Sequence, residues 1–390
     1  MAEREKSELI VFGGYDKIKE LLARKAISAI TIDTTVFDDG GMRLDKGLFS
    51  QLLQFGSHPA NLVLSEVVLR EIKRHLTKSI GSKKDRFGRD LIDSAEFVGY
   101  DIKYVQEIKS KFEELLSPED ICEAQISHFL AESSAIIVDV DDHLQLGDVV
   151  EYYFDGKAPF HKENLKKSEF PDAISLMSLE GWARDAETEL VVVSRDGDWA
   201  AYCETSEKLH IVKDLATALA LFQTPDEAVK AAVEDLRGRL NDDNSEIFTR
   251  IEEEIRDFDW ASHASHYANS QFEYEEDESY VELGKCFFVD RPDAIKVTDI
   301  DVEAVSVIFA LQLEGNFVVN YSFQKWDAID KDYMSMGNGQ AGEEFSVSVS
   351  VVLRIPNKSI ETEDVKWEIE PNTLHFDFGE IEPDWMNGSD

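Results

Sequence analysis

Cysteine is scarce in this chain. Cys122, Cys203 and Cys286 are the only three, far apart, with no CxxC pair and no histidine at metal-ligand spacing beside them. That argues against a disulfide framework or a zinc site and fits a reducing cytoplasm, where the protein is expected to reside. The stretch Met1 to Glu8 is charged and no apolar segment follows it, so no secretory signal is expected. No apolar run approaches the ~20 residues a membrane helix needs, and no membrane partner is expected. Internal repeats and low-complexity tracts are missing too. Positive charge is in short supply: 40 Lys and Arg stand against 80 Asp and Glu, for a net charge of −40.

A deficit of basic residues weighs against polyanionic partners, because basic surface usually makes that approach. Its distribution matters more than its total. Residues 1–223 carry 27 basic and 41 acidic side chains, net −14, whereas residues 224–390 carry 13 and 39, net −26. One sizeable basic patch survives in the first half, at Arg70, Lys73, Arg74, Lys78, Lys83, Lys84, Arg86 and Arg89, against Glu71 and Asp85, with Asp90 just beyond. It reads either as a phosphate-binding flank or as an ordinary solvated helix face and loop. Solubility accounts for the remaining acid.

What is present is a globular chain of 390 residues, 43% hydrophobic, long enough for two or three domains. Residues 1–25 suggest an amphipathic helix with Ile18, Leu21 and Leu22 on one side. Ala26 to Ile32 is a β-rich run, Leu48 to Gly56 is helical, and Asn61 to Leu64 is a second strand. Ser65 looks like the N-cap of a helix over Glu66–Thr77. Residues 93–155 are mostly helical, with Ile136-Ile137-Val138 as a short extended piece. A helix opens at Pro171, a strand lies around Val191, and strand then helix follow at Leu209–Val212 and Asp214–Phe222. Strands alternating with helices imply a parallel sheet covered on both faces, an α/β architecture.

Gln223-Thr224-Pro225-Asp226 reads as a domain boundary opening a long helix to about Asp257. Glu273 to Glu278 suggests an acidic loop, and Glu314-Gly315-Asn316 the turn of a hairpin. Apolar residues then alternate strictly over Phe345–Ile355, Val365–Ile369 and Leu374–Phe378. This α+β C-terminal region, a helix followed by an antiparallel sheet, is expected to pack one sheet face and wet the other.

The chemistry lies in five acids. Asp33 follows the first strand, Glu71 lies in the helix after the second, and Asp172 sits in the first turn of its helix. Asp196 and Asp198 follow the Val191–Ser194 strand. Strand ends and helix starts are where α/β folds collect working groups. Two carboxylates ~4 Å apart repel by roughly 4 kcal/mol at an effective dielectric near 20, unless one is protonated or a cation lies between them. Oxygen ligands without His or Cys suit Mg²⁺ or Mn²⁺. Each acid also has an ordinary reading. Asp172 complements a helix N-terminus, Asp196-Gly197-Asp198 makes a turn and cap, and Glu71 makes a surface ion pair. Periodicity does not choose between Glu66 and Glu71, which border opposite sides of one buried stripe.

Four segments, Ile30-Thr31-Ile32-Asp33-Thr34, Val67-Val68-Leu69-Arg70-Glu71-Ile72, Phe170-Pro171-Asp172-Ala173 and Val193-Ser194-Arg195-Asp196-Gly197-Asp198-Trp199, carry a resemblance. Over residues 26–223 the chain resembles the PIN-domain nucleases, a metal-dependent family related in fold to flap endonucleases. The resemblance implies a PIN-like parallel sheet sandwiched by helices, one or two Mg²⁺ or Mn²⁺ ions, and a nucleic-acid substrate, RNA ahead of DNA. It makes Asp33, Glu71, Asp172 and Asp196 the catalytic, metal-binding acids, prefers Glu71 to Glu66, and leaves Asp198 as an auxiliary ligand. It puts Ser194 at the scissile phosphate or at an acid it orients. Thr34, Arg70, Arg74, Lys166 and Lys167 are the remaining candidates for substrate contact. About 100 residues separate Glu71 from Asp172, more than in compact toxin-type members. A helical insertion over about 93–165 accounts for the excess and resembles a larger bacterial group with an appended C-terminal domain, where defence or toxin-like roles occur.

Three functions compete. The first is a metal-dependent ribonuclease or endonuclease. The second is a phosphohydrolase with Asp33 as nucleophile, weakened because Thr35 stands where such enzymes carry a second Asp. The third is a non-catalytic module acting through protein partners, or a homo-oligomer, by way of the acidic C-terminal domain.

Overall fold

The computed structural model describes residues 15–115, 117–160, 169–327, 332–360, 365–370 and 373–386. They form two compact units, divided between Gln223 and Thr224, each with its own apolar core.

In the first unit a helix, α1, covers residues 15–23. The rest of the segment expected to be helical over 1–25 lies partly outside the described residues. Its apolar side, Ile18 and Leu21, is buried. Then come β1 (Ile27–Ile32), α2 (Thr34–Asp39), the short α3 (Gly47–Ser50) with a 3-10 turn, β2 (Asn61–Ser65) and α4 (Glu66–Phe97). Next are α5 (Ile102–Leu115), α6 (Pro118–Ser133), β3 (Ile136–Val138), α7 (Val140–His143) and α8 (Leu146–Asp155). The unit ends with α9 (Phe170–Asp185), β4 (Glu189–Val193), α10 (Gly197–Thr205), β5 (Leu209–Val212) and α11 (Leu215–Leu221).

The five strands form one parallel sheet in the order β3-β2-β1-β4-β5. Strands covered on both faces are apolar nearly throughout. β1 and β4, at the centre, bury almost every residue. From β1 the chain builds outward to β2 and β3 on one side, and later to β4 and β5 on the other. The carboxyl ends of β1 and β4 therefore flank the point where the order reverses, the usual ligand site of such sheets.

Two expectations change here. The helix read as Glu66–Thr77 runs on to Phe97, so the whole basic stretch Arg70–Arg89 is helical and holds no loop. Gly81 and Gly88 do not break it, and Gly88 receives the Lys109 side chain of α5, whose Cε would meet an added Cβ at 2.8 Å. Packing of one helix on another outweighs local propensity here. The segment 93–165, expected as a helical insertion, also supplies β3, which pairs in parallel with β2 from Val63 to Ser65.

The second unit opens with α12 (Glu227–Leu240) and α13 (Glu246–Asp257), not the single helix expected. Asn241-Asp242-Asp243-Asn244 breaks it, since these side chains compete for the backbone, and Ser245 restarts it as an N-cap accepting from the Phe248 amide. Strands β6 (Ala264–Asn269), β7 (Glu273–Phe288), β8 (Lys296–Ile300), β9 (Ala304–Asp327), β10 (Asp332–Pro356), β11 (Lys366–Glu370) and β12 (Leu374–Glu380) follow. The main antiparallel sheet runs β11-β10-β9-β7, with β8 also on β9.

The acidic stretch Glu273–Glu278, expected as a loop, is the start of β7, with its backbone laddered to β9. Nor is there a hairpin at Glu314-Gly315-Asn316, since β9 runs straight through it. Gly315 is a packing glycine: an added Cβ would meet Phe345 at 2.7 Å and the Glu282 carbonyl oxygen at 2.9 Å. β12 pairs in parallel with β6, so the unit is not antiparallel throughout.

Candidate functional site

Where β1 ends, the Asp33 amide donates to the Val193 carbonyl at 2.9 Å, and one strand over the Ser194 amide donates to Val212 at 3.2 Å. The ladder thus sets Asp33 beside Ser194 and brings Asp196 alongside. Asp33 occupies the N-cap position of α2 without capping it. Only 3% exposed, its Oδ2 accepts from Thr35 Oγ1 at 2.5 Å and Ser194 Oγ at 2.7 Å. Burial pushes the Asp33 carboxyl above its ordinary value, those two hydrogen bonds oppose the shift, and the charge of Asp196 adds to it.

Asp196 caps α10, its Oδ1 accepting from the Asp198 amide at 2.6 Å, while its own amide donates to Ser194 Oγ at 3.0 Å. Ser194 therefore ties Asp33 to the backbone of Asp196. Asp172 lies in the first turn of α9, just after Pro171. Its Oδ1 accepts from the indole Nε1 of Trp199, in α10, at 2.8 Å. Its pKa is pushed up to about 6, by burial first; the Trp199 hydrogen bond pulls it down, and the charges of Asp33, Asp196 and Glu71 raise it further. Four elements, the ends of β1 and β4 and the starts of α4 and α9, thus deliver carboxylates within electrostatic reach of one another.

Glu71 and Glu66 part company. Glu66 pairs with Arg70 at 2.6 Å and accepts from the Val140 amide at 3.4 Å. Glu71 accepts from Thr34 Oγ1 at 2.9 Å and is one of the charges acting on Asp172. Thr34, expected at the substrate, is buried and orients Glu71 instead. Arg70 is 79% exposed in its pair with Glu66, and Arg74 is exposed with its guanidinium 3.2 Å from His75 Nε2. Lys166 and Lys167 lie outside the described residues.

Sequence reasoning assigned no part in the site to Thr35, Glu169 or Trp199. A tryptophan directly after Asp198 gave no hint that its N–H meets an acid 27 residues earlier. Glu169, at the N-cap position of α9, is 2% exposed, and neither carboxylate oxygen has a partner among the described residues. Its spacing of three from Asp172 at a helix start was the available signal.

The donors are all carboxylate oxygens, the chemistry that Mg²⁺ and Mn²⁺ prefer. Their spacing is wider than a closed coordination shell. Among the described residues, no three His, Cys, Asp or Glu side chains are gathered tightly enough to hold an ion. Like charges repel, and each carboxylate is instead held by its own donor: Thr34 for Glu71, Thr35 and Ser194 for Asp33, Trp199 for Asp172, the Asp198 amide for Asp196.

Among the described residues no helix is long and apolar enough to cross a membrane. Comparison with curated proteins and with solved structures gave no match. Against family models, residues 30–199 match the PIN domain. That span begins in β1, ends at Trp199 and takes in all four clustered acids. By its parallel sheet flanked by helices and by this match, residues 30–199 form a PIN domain, a nuclease-type fold, and the chain carries an additional C-terminal region.

Proposed function

We propose that the protein is a nuclease that hydrolyses phosphodiester bonds with Mg²⁺ or Mn²⁺, and RNA before DNA on grounds of family resemblance. The observation that carries this reading is the Asp172 carboxyl, raised to about 6 in part by the charges of Asp33, Asp196 and Glu71. A fold that holds four carboxylates within electrostatic reach of one another gains by a cation among them. Asp33, Glu71, Asp172 and Asp196 would hold it, with Asp198 at the edge. A bound divalent cation supplies neutralisation of the phosphate and activation of water.

The chain's own residues do the rest. Ser194 and Thr35 fix Asp33, Thr34 fixes Glu71, and Trp199 fixes Asp172, so the carboxylates keep their directions when charged. Arg74 and Lys78 stand three and seven residues after Glu71, on its side of α4, where they would hold a phosphate backbone leaving the site. Arg70 reaches the same strand only by leaving Glu66.

The test is cleavage of single- and double-stranded RNA and DNA with Mn²⁺, comparing the native chain with Asp33→Asn and Asp196→Asn. Each variant should lose metal-dependent cleavage by at least about 10²-fold while keeping its circular dichroism. Cutting that persists in both would end the proposal. The wide spacing of the acids favours a second reading, a non-catalytic PIN-like module acting through protein partners. Calorimetry separates the two, since that module would take up neither Mn²⁺ nor Mg²⁺.

A further inference from the structure

Beyond Ile80, α4 runs beside α5. The two are antiparallel: Lys109 lies over Gly88, and Phe112 packs against Phe87 with ring centroids 4.8 Å apart and the Lys84 ammonium 5.7 Å from its own ring centre. Between residues 81 and 112 only Gly88, Ala95 and Val105 are buried, so the seam joining the helices is narrow. Of the eighteen large apolar side chains exposed among the described residues, eight fall between Phe87 and Phe112. The exposure is therefore concentrated rather than scattered, and concentrated apolar surface marks an interaction site.

Helical spacing divides the eight. Phe87 and Val98, three turns apart on α4 and its C-cap, lie on the same side of the pair as Tyr104, Ile108 and Phe112, which recur every fourth residue along α5. The Phe87–Phe112 contact joins the two rows into one face, with Leu91 between Phe87 and Val98. Phe97 points away from it, on the other side of α4.

Charge identifies what covers this face. Residues 78–89 carry five basic side chains and one acid, whereas residues 90–101 carry four acids and no base. A nucleic-acid strand suits the first half and is repelled by the second. A second copy of the same face, turned end for end, matches both halves at once, because each basic half then meets an acidic one. The size is adequate too. Ile80 to Phe97 span about 27 Å of helix, and two helices side by side are about 20 Å wide. Two such faces bury about 1,100 Å², just above the ~1,000 Å² that a specific interface needs.

We propose that the protein forms a two-fold dimer through this face, the α4–α5 pairs of two copies stacking antiparallel as a four-helix bundle. The axis crosses the helices near Leu91 and Ile108, so Ile108 meets its own counterpart and Lys84 of one copy lies opposite Val98 of the other. The dimer stands or falls independently of metal binding and nuclease activity.

Sedimentation equilibrium of the full chain from about 1 to 100 µM, at roughly physiological salt, tests this. A monomer–dimer equilibrium with a micromolar Kd is expected, since an interface of this size is a small one. Ile108→Glu and Ile108→Lys should each weaken it about tenfold or more, because either substitution sets like charges against each other across the axis. Phe97→Glu is the control: Phe97 is 93% exposed but lies off the face, and its loss should leave the dimer unchanged. Lys84→Cys chains mixed with Val98→Cys chains should form mixed disulfide dimers in preference to either homodimer, as peptide mapping would show. A chain that stays monomeric to about 100 µM, equal weakening by Phe97→Glu, or homodimer cross-links as abundant as mixed ones would overturn the proposal. A monomer whose RNA binding fell with Ile108→Glu and rose with Ile108→Lys would overturn it by giving the face to nucleic acid.

Discussion

Asp172 concentrates the physics of the candidate site. Burial and three neighbouring carboxylates hold its carboxyl near 6, against an ordinary value of 3.8. A carboxyl whose pKa is raised on folding costs stability once both states ionise. Below about pH 4 both states are protonated and there is no cost; it grows between about 4 and 6 and is complete above 6. Without divalent metal, Asp172→Asn should therefore melt higher than the native chain at pH 7 and match it near pH 4. For a unit of this size each ~1 kcal/mol moves Tm by about 2–4 °C. Thermal melts in chelator across that range decide the point, and a constant offset at every pH would show that the charge is not the cause. Trp199 works in the opposite sense, because its indole N–H steadies the ionised form. Trp199→Phe should raise the Asp172 pKa further and weaken Mn²⁺ binding at pH 6 more than at pH 8, as titration calorimetry at the two values would read.

At the scale of elements, close backbone approaches set where the helices lie. Gly181, in α9, faces the end of α7, and a Cβ there would stand 2.1 Å from the His143 carbonyl oxygen. A main-chain atom cannot swing aside, so Gly181→Ala should destabilise by about 1–3 kcal/mol or more. It should also reduce metal binding, because α9 carries Asp172. Gly238, in α12, has nothing within 4 Å of an added Cβ. There Gly→Ala should stabilise by about 0.5–1 kcal/mol, through helix propensity alone. Urea denaturation of the pair should give opposite signs. The same contrast explains Gly315, expected in a turn, and Gly88. Gly315 carries every mark of a turn residue but lies mid-strand against Phe345, and Gly88 lies mid-helix under Lys109. Local sequence records that a glycine is needed, not which neighbour needs it.

The molecule as a whole is two cores in one chain, and most of its net negative charge, −26 of −40, lies in the second unit. With separate cores, each unit should fold when expressed alone. Residues 224–390 should then show a cooperative urea transition by near-ultraviolet circular dichroism; a flat trace would mean that this core depends on the first unit. Charge predicts a further difference. Residues 1–223 lose a net −26 when freed of the second unit, so at about 10 mM salt, where screening reaches ~30 Å, they should associate with RNA faster than the full chain does. The gap should close at about 0.15 M salt, and stopped-flow fluorescence would show whether it does.

The α/β class, the parallel sheet and the appended β-rich region were legible from periodicity, because strands buried on both faces and strands buried on one face leave different patterns in the chain. So was the run of acids at strand ends and helix starts. The order of strands around β1, the parallel partnership of β12 with β6 and the unbroken course of β9 were not, because pairing joins residues far apart in the chain. The donor assigned to each carboxylate belongs with them: Trp199 meets Asp172, and Thr34 meets Glu71, only once four elements are stacked. Sequence determined which charges the fold must accommodate. How near they come, and what steadies each of them, was decided by tertiary packing, since electrostatic and hydrogen-bond energies depend on separation in space.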